Sequence, residues 1–121
     1  MPTRKRVLLV DDEPDFLDVL GEHLAHSYDV DTAESGEAAL QRFGAQRPDL
    51  VFLDISMPGL SGVDVLKTLR VLDPAVPIIM VTANTNIGVT EECLKLGAFS
   101  WIPKPFDLRY VDHIAALATG Q

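Results

Sequence analysis

Residues 50–59 read Leu-Val-Phe-Leu-Asp-Ile-Ser-Met-Pro-Gly, four apolar residues that run without a break into one carboxylate and then into a Pro-Gly turn. An apolar run this short reads as a strand buried on both faces, and such strands belong to parallel sheets sandwiched between helices. Asp54 therefore stands at the mouth of the sheet. Pro58 and Gly59 stop the strand and turn the chain, so the carboxylate sits on a rigid edge, where ligands bind in open α/β sheets.

The rest of the chain alternates apolar strands with amphipathic segments. Val7 to Val10 forms a first strand closed by Asp11-Asp12-Glu13, and Pro14 suits the first turn of a helix that buries Phe16, Leu17, Leu20 and Leu24. Tyr28 to Thr32 alternates apolar and polar residues, as an edge strand with one wet side does. Ser35 caps a second helix with Ala39, Leu40 and Phe43 inward, ending around Gly44 to Pro48. After the central strand, Gly62 opens a third helix with Val63, Leu66 and Leu69 toward the core, closed by Asp73-Pro74. Ile78 to Val81 is a fourth strand, followed by Thr82-Ala83-Asn84. The stretch Asn86 to Thr90 has poor helix formers and reads as loose; Glu91 to Leu96 reads as helix, and Gly97 ends it. Ala98 to Ile102 makes a fifth strand, and Asp107 caps a last helix with Leu108, Val111, Ile114 and Leu117 or Ala118 on its inner face. Five strands interleaved with five helical segments predict a parallel sheet covered on both sides with right-handed crossovers, although alternation alone leaves strand order open.

At 121 residues the chain is expected to form one domain over 1–121, its core running from about residue 6 to 118. A formal net charge of −8 argues against direct contact with nucleic acid, whose phosphates demand basic patches. No apolar run reaches the roughly 20 residues that a membrane-spanning helix needs. The lone cysteine, Cys93, allows no internal disulfide, fits a reducing cytoplasm and reads as a small buried hydrophobe.

The chemistry emerges from the strand ends. Asp11 and Asp12 follow the first strand, Asp54 ends the third, Thr82 the fourth, and Lys104 follows the fifth. In a parallel sheet all of these lie along one edge and converge if their strands are neighbours. Taken singly each has an ordinary use as a cap or surface residue; the joint placement singles them out. Two unit charges about 4 Å apart interact by roughly 4 kcal/mol at an effective dielectric of about 20, so clustered carboxylates either bind protons more tightly or surround a cation. An oxygen-only, open site favours Mg²⁺. His23, His26 and His113 fall on helices away from the cluster, match no zinc spacing and read as surface or boundary residues. A carboxylate beside a divalent metal, a lysine and a hydroxyl is suited to attack phosphorus, with Asp54 as the nucleophile.

These residues carry a resemblance. Asp11-Asp12-Glu13, Asp54 with Met57-Pro58-Gly59, Thr82-Ala83, Gly97-Ala98 and Lys104-Pro105-Phe106 are similar, in order and spacing, to the response-regulator receiver domain of two-component signalling, from about Arg6 to Ala118. The resemblance implies a flavodoxin-like doubly wound sheet in the order 2-1-3-4-5 with helices on both faces. It implies that Asp54 accepts a phosphoryl group from a phosphohistidine of a sensor histidine kinase or histidine phosphotransfer protein. It also implies that Asp12 binds Mg²⁺ directly and Asp11 through water, with Asp54 and the Ser56 backbone carbonyl completing the protein's share. Thr82 and Lys104 would meet phosphoryl oxygens, and the Lys104-Pro105 peptide is expected cis. Thr82 and an aromatic on the fifth strand form the family's switch. Trp101 stands where Tyr or Phe is usual, so either an inward swing or a fixed cover over the sheet edge is open to it. Ser56 and Asn84 occupy places that tune hydrolysis. A downstream protein or output domain would read the switch.

Two rivals remain. A phosphatase of the haloacid dehalogenase type would need Asp-x-Asp after the first strand, which Asp11-Asp12-Glu13-Pro14 does not supply. A docking module that keeps the fold without phosphotransfer would not need Asp54, Thr82 and Lys104 together. Neither G-x-G-x-x-G nor G-x-x-x-x-G-K-[ST] occurs, which leaves nucleotide binding a poor third.

Overall fold

The computed structural model describes residues 4–83 and 87–120. Strands β1 (Arg6–Val10), β2 (Asp29–Ala33), β3 (Leu50–Asp54), β4 (Ile78–Thr82) and β5 (Ser100–Pro103) alternate with helices α1 (Pro14–Leu24), α2 (Gly36–Ala45), α3 (Gly62–Leu72), α4 (Ile87–Lys95) and α5 (Leu108–Thr119). All strand pairs are parallel, and the order is β2-β1-β3-β4-β5. β2 is an edge strand, paired to β1 alone and only half-buried through Thr32, as its polar alternation predicts. Among the described residues no helix is long and apolar enough to cross a membrane.

The unbroken apolar runs have a direct explanation in the core. Successive strand side chains point to opposite faces. Leu8, Val10, Val51, Leu53, Ile78 and Met80 join Phe43, Leu66, Leu69 and Cys93 in one cluster beneath α2, α3 and α4. Val7, Leu9, Leu50, Phe52, Ile79 and Val81 join Leu20, Leu24, Val111 and Ile114 in a second beneath α1 and α5. Each fully buried aliphatic side chain contributes about 1.5–3 kcal/mol, so both faces reward apolar residues and neither tolerates the polar alternation seen in β2.

Helix starts follow local chemistry. Ser35, Ser61 and Asp107 accept hydrogen bonds from the backbone N–H of Ala38, Asp64 and Arg109, and Pro14 occupies the first turn of α1. Four local expectations need correction. On α3 the buried position is Val65, with Val63 only partly covered, because the helix enters at Ser61 and its core stripe runs Val65, Leu66, Leu69. On α5 Ala115 is buried while Leu117 faces solvent. β5 begins at Ser100, after Gly97 turns the chain with a positive φ of 105°. The segment 87–90 is helical despite weak propensity: Thr90 is buried and its hydroxyl donates to the Ile87 carbonyl at 2.9 Å, and Val89 packs on the core, so tertiary contact overrides local preference. Asn84 and Asn86 lie outside the described residues.

One glycine fixes how α3 meets the central strand. The Gly62 N–H donates to the Ile55 carbonyl at 3.0 Å. A Cβ on Gly62 would stand 1.9 Å from the Asp54 carbonyl oxygen and 2.7 Å from the Ile55 Cα. Backbone cannot yield as a flexible side chain can. We therefore expect Gly62→Ala to lower stability by roughly 3 kcal/mol through forced displacement of the β3 end. Gly44→Ala, in α2 with nothing within 4 Å of the new methyl, should raise it by about 0.5–1 kcal/mol. Urea midpoints that shift equally for the two variants would contradict this account.

Candidate functional site at the carboxyl edge of the sheet

The strand ladders extend one residue past their formal ends. The Asp11 N–H donates to the Ala33 carbonyl at 3.1 Å and the Lys104 N–H to the Thr82 carbonyl at 2.8 Å. Side-chain alternation therefore continues Val7-Leu9 to Asp11, Leu50-Phe52 to Asp54 and Ile102 to Lys104, all on the α1/α5 face. Because β1, β3 and β4 are adjacent and β5 flanks β4, these three groups arrive at one place.

Asp11, Asp12 and Asp54 each offer one carboxylate oxygen, and the three atoms lie within 4.8 Å of one another. Asp11 and Asp54 are buried and Asp12 is exposed. Lys104 Nζ donates to Asp11 Oδ2 at 2.5 Å and to Glu13 Oε1 at 3.3 Å, and stands 3.9 Å from Asp54 Oδ2. Backbone N–H groups steady the acids: Glu13 donates to Asp11 Oδ1 at 2.9 Å and Ser56 to Asp54 Oδ1 at 3.3 Å. The Lys104-Pro105 peptide is cis. Asp12, Glu13, Asp54, Ser56, Ala83 and Lys104 line a cavity of about 480 Å³ open to solvent.

Thr82 takes a different position. It ends β4 one residue beyond Val81, which lies in register with Asp54, so alternation turns its side chain to the α4 side. Buried there, it lines a neighbouring cavity of about 280 Å³ with Trp101, Ile87 and Thr90, while Ala83 and Lys104 border both spaces. Trp101 is 39% exposed and covers this second cavity at the edge of the sheet. The expected residues thus divide into an acidic pocket and an adjoining cavity that share a wall. His23 pairs with Asp112 at 2.8 Å, and His26 and His113 are exposed; none of the three lines the acidic pocket.

The electrostatics are unbalanced. Burial first, then the charges of Asp11 and Asp12, raise the Asp54 carboxyl to about 6 against the pull of Lys104 and the Ser56 N–H. Burial also raises Asp11, opposed by its bond to Lys104. Burial pulls Lys104 down, but the Asp11 bond and the Asp54 charge outweigh it and hold the ammonium above its ordinary value. Hard oxygen donors this close, with one lysine already committed to Asp11, suit a small divalent cation.

Sequence reasoning did not assign three residues that matter here. Glu13 supplies a second partner for Lys104, Gly62 allows α3 to abut the Asp54 carbonyl, and Phe16 places its ring under Lys104 Nζ, 4.1 Å from the centroid. Glu13 and Phe16 lie on the turn and first helical turn after Asp12, a proximity that was readable; the Gly62 contact depends on tertiary approach.

A parallel sheet in the order 2-1-3-4-5 with three aspartates and a lysine at its carboxyl edge defines a flavodoxin-like α/β protein with an acidic site at the topological switch. The family model described as the response regulator receiver domain matches residues 7–116, and the chain belongs to that family. It is 40% identical over 109 residues to the alkaline phosphatase synthesis transcriptional regulatory protein PhoP of Bacillus subtilis, covering 89% of this chain and 45% of that protein. It is 34% identical over 105 residues to sporulation initiation phosphotransferase F of the same organism, covering 86% of this chain and 85% of that one. A CheY-like response regulator receiver domain protein from Methanospirillum hungatei superposes with a TM-score of 0.91 at 28% identity, covering 98% of this chain and 96% of the other. The chain spans less than half of PhoP and 26% of the regulatory protein AtoC of Escherichia coli, to which it is 36% identical.

A carboxyl whose folded pKa lies above its unfolded value destabilises the fold as it ionises, so stability attributable to Asp54 falls as pH rises from about 4 to about 6. In chelator-treated buffer at pH 7.5, Asp54→Asn should unfold at a cost greater than wild type by on the order of 2–3 kcal/mol, and this advantage should fade as pH drops toward 4. An advantage of the same size at both pH values would refute the assignment.

Proposed function

We propose that this chain is a phospho-accepting receiver in which Asp54 takes a phosphoryl group from a phosphohistidine. The observation that carries the reading is the convergence of Asp11, Asp12, Asp54 and Lys104 at one sheet edge, beside a cavity open to solvent. Its likeness to a phosphotransferase over most of both chains supports the same chemistry. An Asp54 carboxylate oxygen attacks phosphorus, the new O–P bond forms as the P–N bond breaks, and the imidazole leaves with its electron pair. Lys104 sets its ammonium against charge on the transferring group, and Thr82, whose side chain lies on the α4 side in this structure, moves toward the new group to donate its hydroxyl to a phosphoryl oxygen. Asp11, Asp12, Asp54 and the Ser56 backbone carbonyl would hold Mg²⁺, which when bound neutralises charge between the carboxylates and the phosphoryl oxygens.

The donor is a sensor histidine kinase or a histidine phosphotransfer protein, and a downstream protein or output domain reads the result, with no direct contact to nucleic acid or membrane. Buried, unpaired Cys93 fits a cytoplasmic setting. The protein is a signalling phospho-acceptor that assists its own phosphorylation and dephosphorylation, without turning over a separate substrate. Phosphorylation exchanges the single carboxylate charge of Asp54 for a phosphoryl group carrying roughly −1.5 to −2, with new acceptor oxygens, in a pocket whose wall is shared with the Trp101 cavity, so Thr82 and Trp101 respond together.

Incubation with acetyl phosphate and Mg²⁺ should add one phosphoryl mass to the wild-type chain and none to Asp54→Asn. An adduct on both proteins, or on neither, would defeat the reading. Trp101 emission should change only when Mg²⁺ and the phosphoryl donor are present together; identical spectra with and without donor would remove Trp101 from the switch.

A further inference from the structure

We infer that Phe16 is a positioning residue for Lys104, holding its ammonium beside Asp54 through the face of an aromatic ring. The inference rests on the proposed role of Asp54 as phosphoacceptor and adds a determinant to that site. Lys104 Nζ lies 4.1 Å from the Phe16 ring centroid, within cation–π range. The ring is itself fixed: Phe106 meets it edge-on, with centroids 5.3 Å apart and planes at 88°, and both rings pack on the buried cluster beneath α1 and α5.

The need for such a device follows from the lysine's other partners. Its ammonium contacts buried Asp11 on one side and Glu13 on the other, and the Glu13 side chain is 67% exposed against 13% for Lys104. A four-carbon stem left to follow Glu13 would carry the charge outward, away from Asp54 Oδ2 at 3.9 Å. The ring face attracts the cation and occupies space that water would fill, which holds the charge inward. A leucine at 16 would keep apolar volume and lose the ring's quadrupole, whereas a tyrosine would keep both.

The test uses the whole chain. Two-dimensional NMR of wild type should show the Lys104 ε-methylene protons shifted upfield by the ring current. Phe16→Leu should abolish that shift and slow Asp54 phosphorylation by acetyl phosphate on the order of 3- to 30-fold, and Phe16→Tyr should restore both. Lys104 resonances at unshifted positions in wild type, a wild-type rate in Phe16→Leu, or a Phe16→Tyr rate as slow as that of Phe16→Leu would each overturn the inference. If the wild-type chain takes no phosphoryl group, the reading of Asp54 falls, while the ring-current comparison still decides whether Phe16 holds Lys104.

Discussion

Ending a strand buried on both faces with a carboxylate removes that group from water, and the rest of the carboxyl edge is organised around the resulting electrostatic problem. Asp54 is 5% exposed and sits among two further aspartates. At 4.8 Å two unit charges repel by about 3 kcal/mol at an effective dielectric of about 20. One lysine cannot neutralise this, least of all when it is hydrogen-bonded to Asp11. The site is therefore strained in charge without a strained backbone, and it gains most from a ligand that brings positive charge or converts Asp54 to another species.

Strand alternation then decides which face of the sheet each group takes. Asp11, Asp54 and Lys104 fall on the α1/α5 side, whereas Thr82, one residue beyond the register partner of Asp54, falls on the α4 side with Trp101. The acidic pocket and the tryptophan cavity share Ala83 and Lys104 as a boundary. On the proposed reading, phosphorylated Asp54 would act on that boundary from one side, and Thr82 and Trp101 line the other. Phe16 and Phe106 belong to the same logic, since the Phe16 ring lies against the Lys104 ammonium that lines the pocket and Phe106 meets that ring edge-on.

Much of this was readable from residue order. The apolar runs at Val7, Leu50 and Ile78 mark buried parallel strands, and Ser35 and Asp107 mark helix starts, because each signal is local and strong. The misreadings fall where local signals are weak. Val63 and Val65 differ by half a turn of helix, and only the entry angle set by Ser61 and Gly62 decides which is buried. The helix from Ile87 has poor propensity and forms because Val89 and Thr90 find a core to pack on.

By itself the amino-acid order determined the element types, the α/β class and the identity of the chemically capable strand ends, since periodicity, caps and turn residues act over a few neighbours. Only the tertiary structure decided that β1 lies between β2 and β3, that Lys104 meets Asp11 rather than Asp54 at hydrogen-bond distance, and that Phe16 lies under that lysine. Those relations join residues as many as 93 positions apart. They arise from how sheet order and helix packing close in space, which no local pattern encodes.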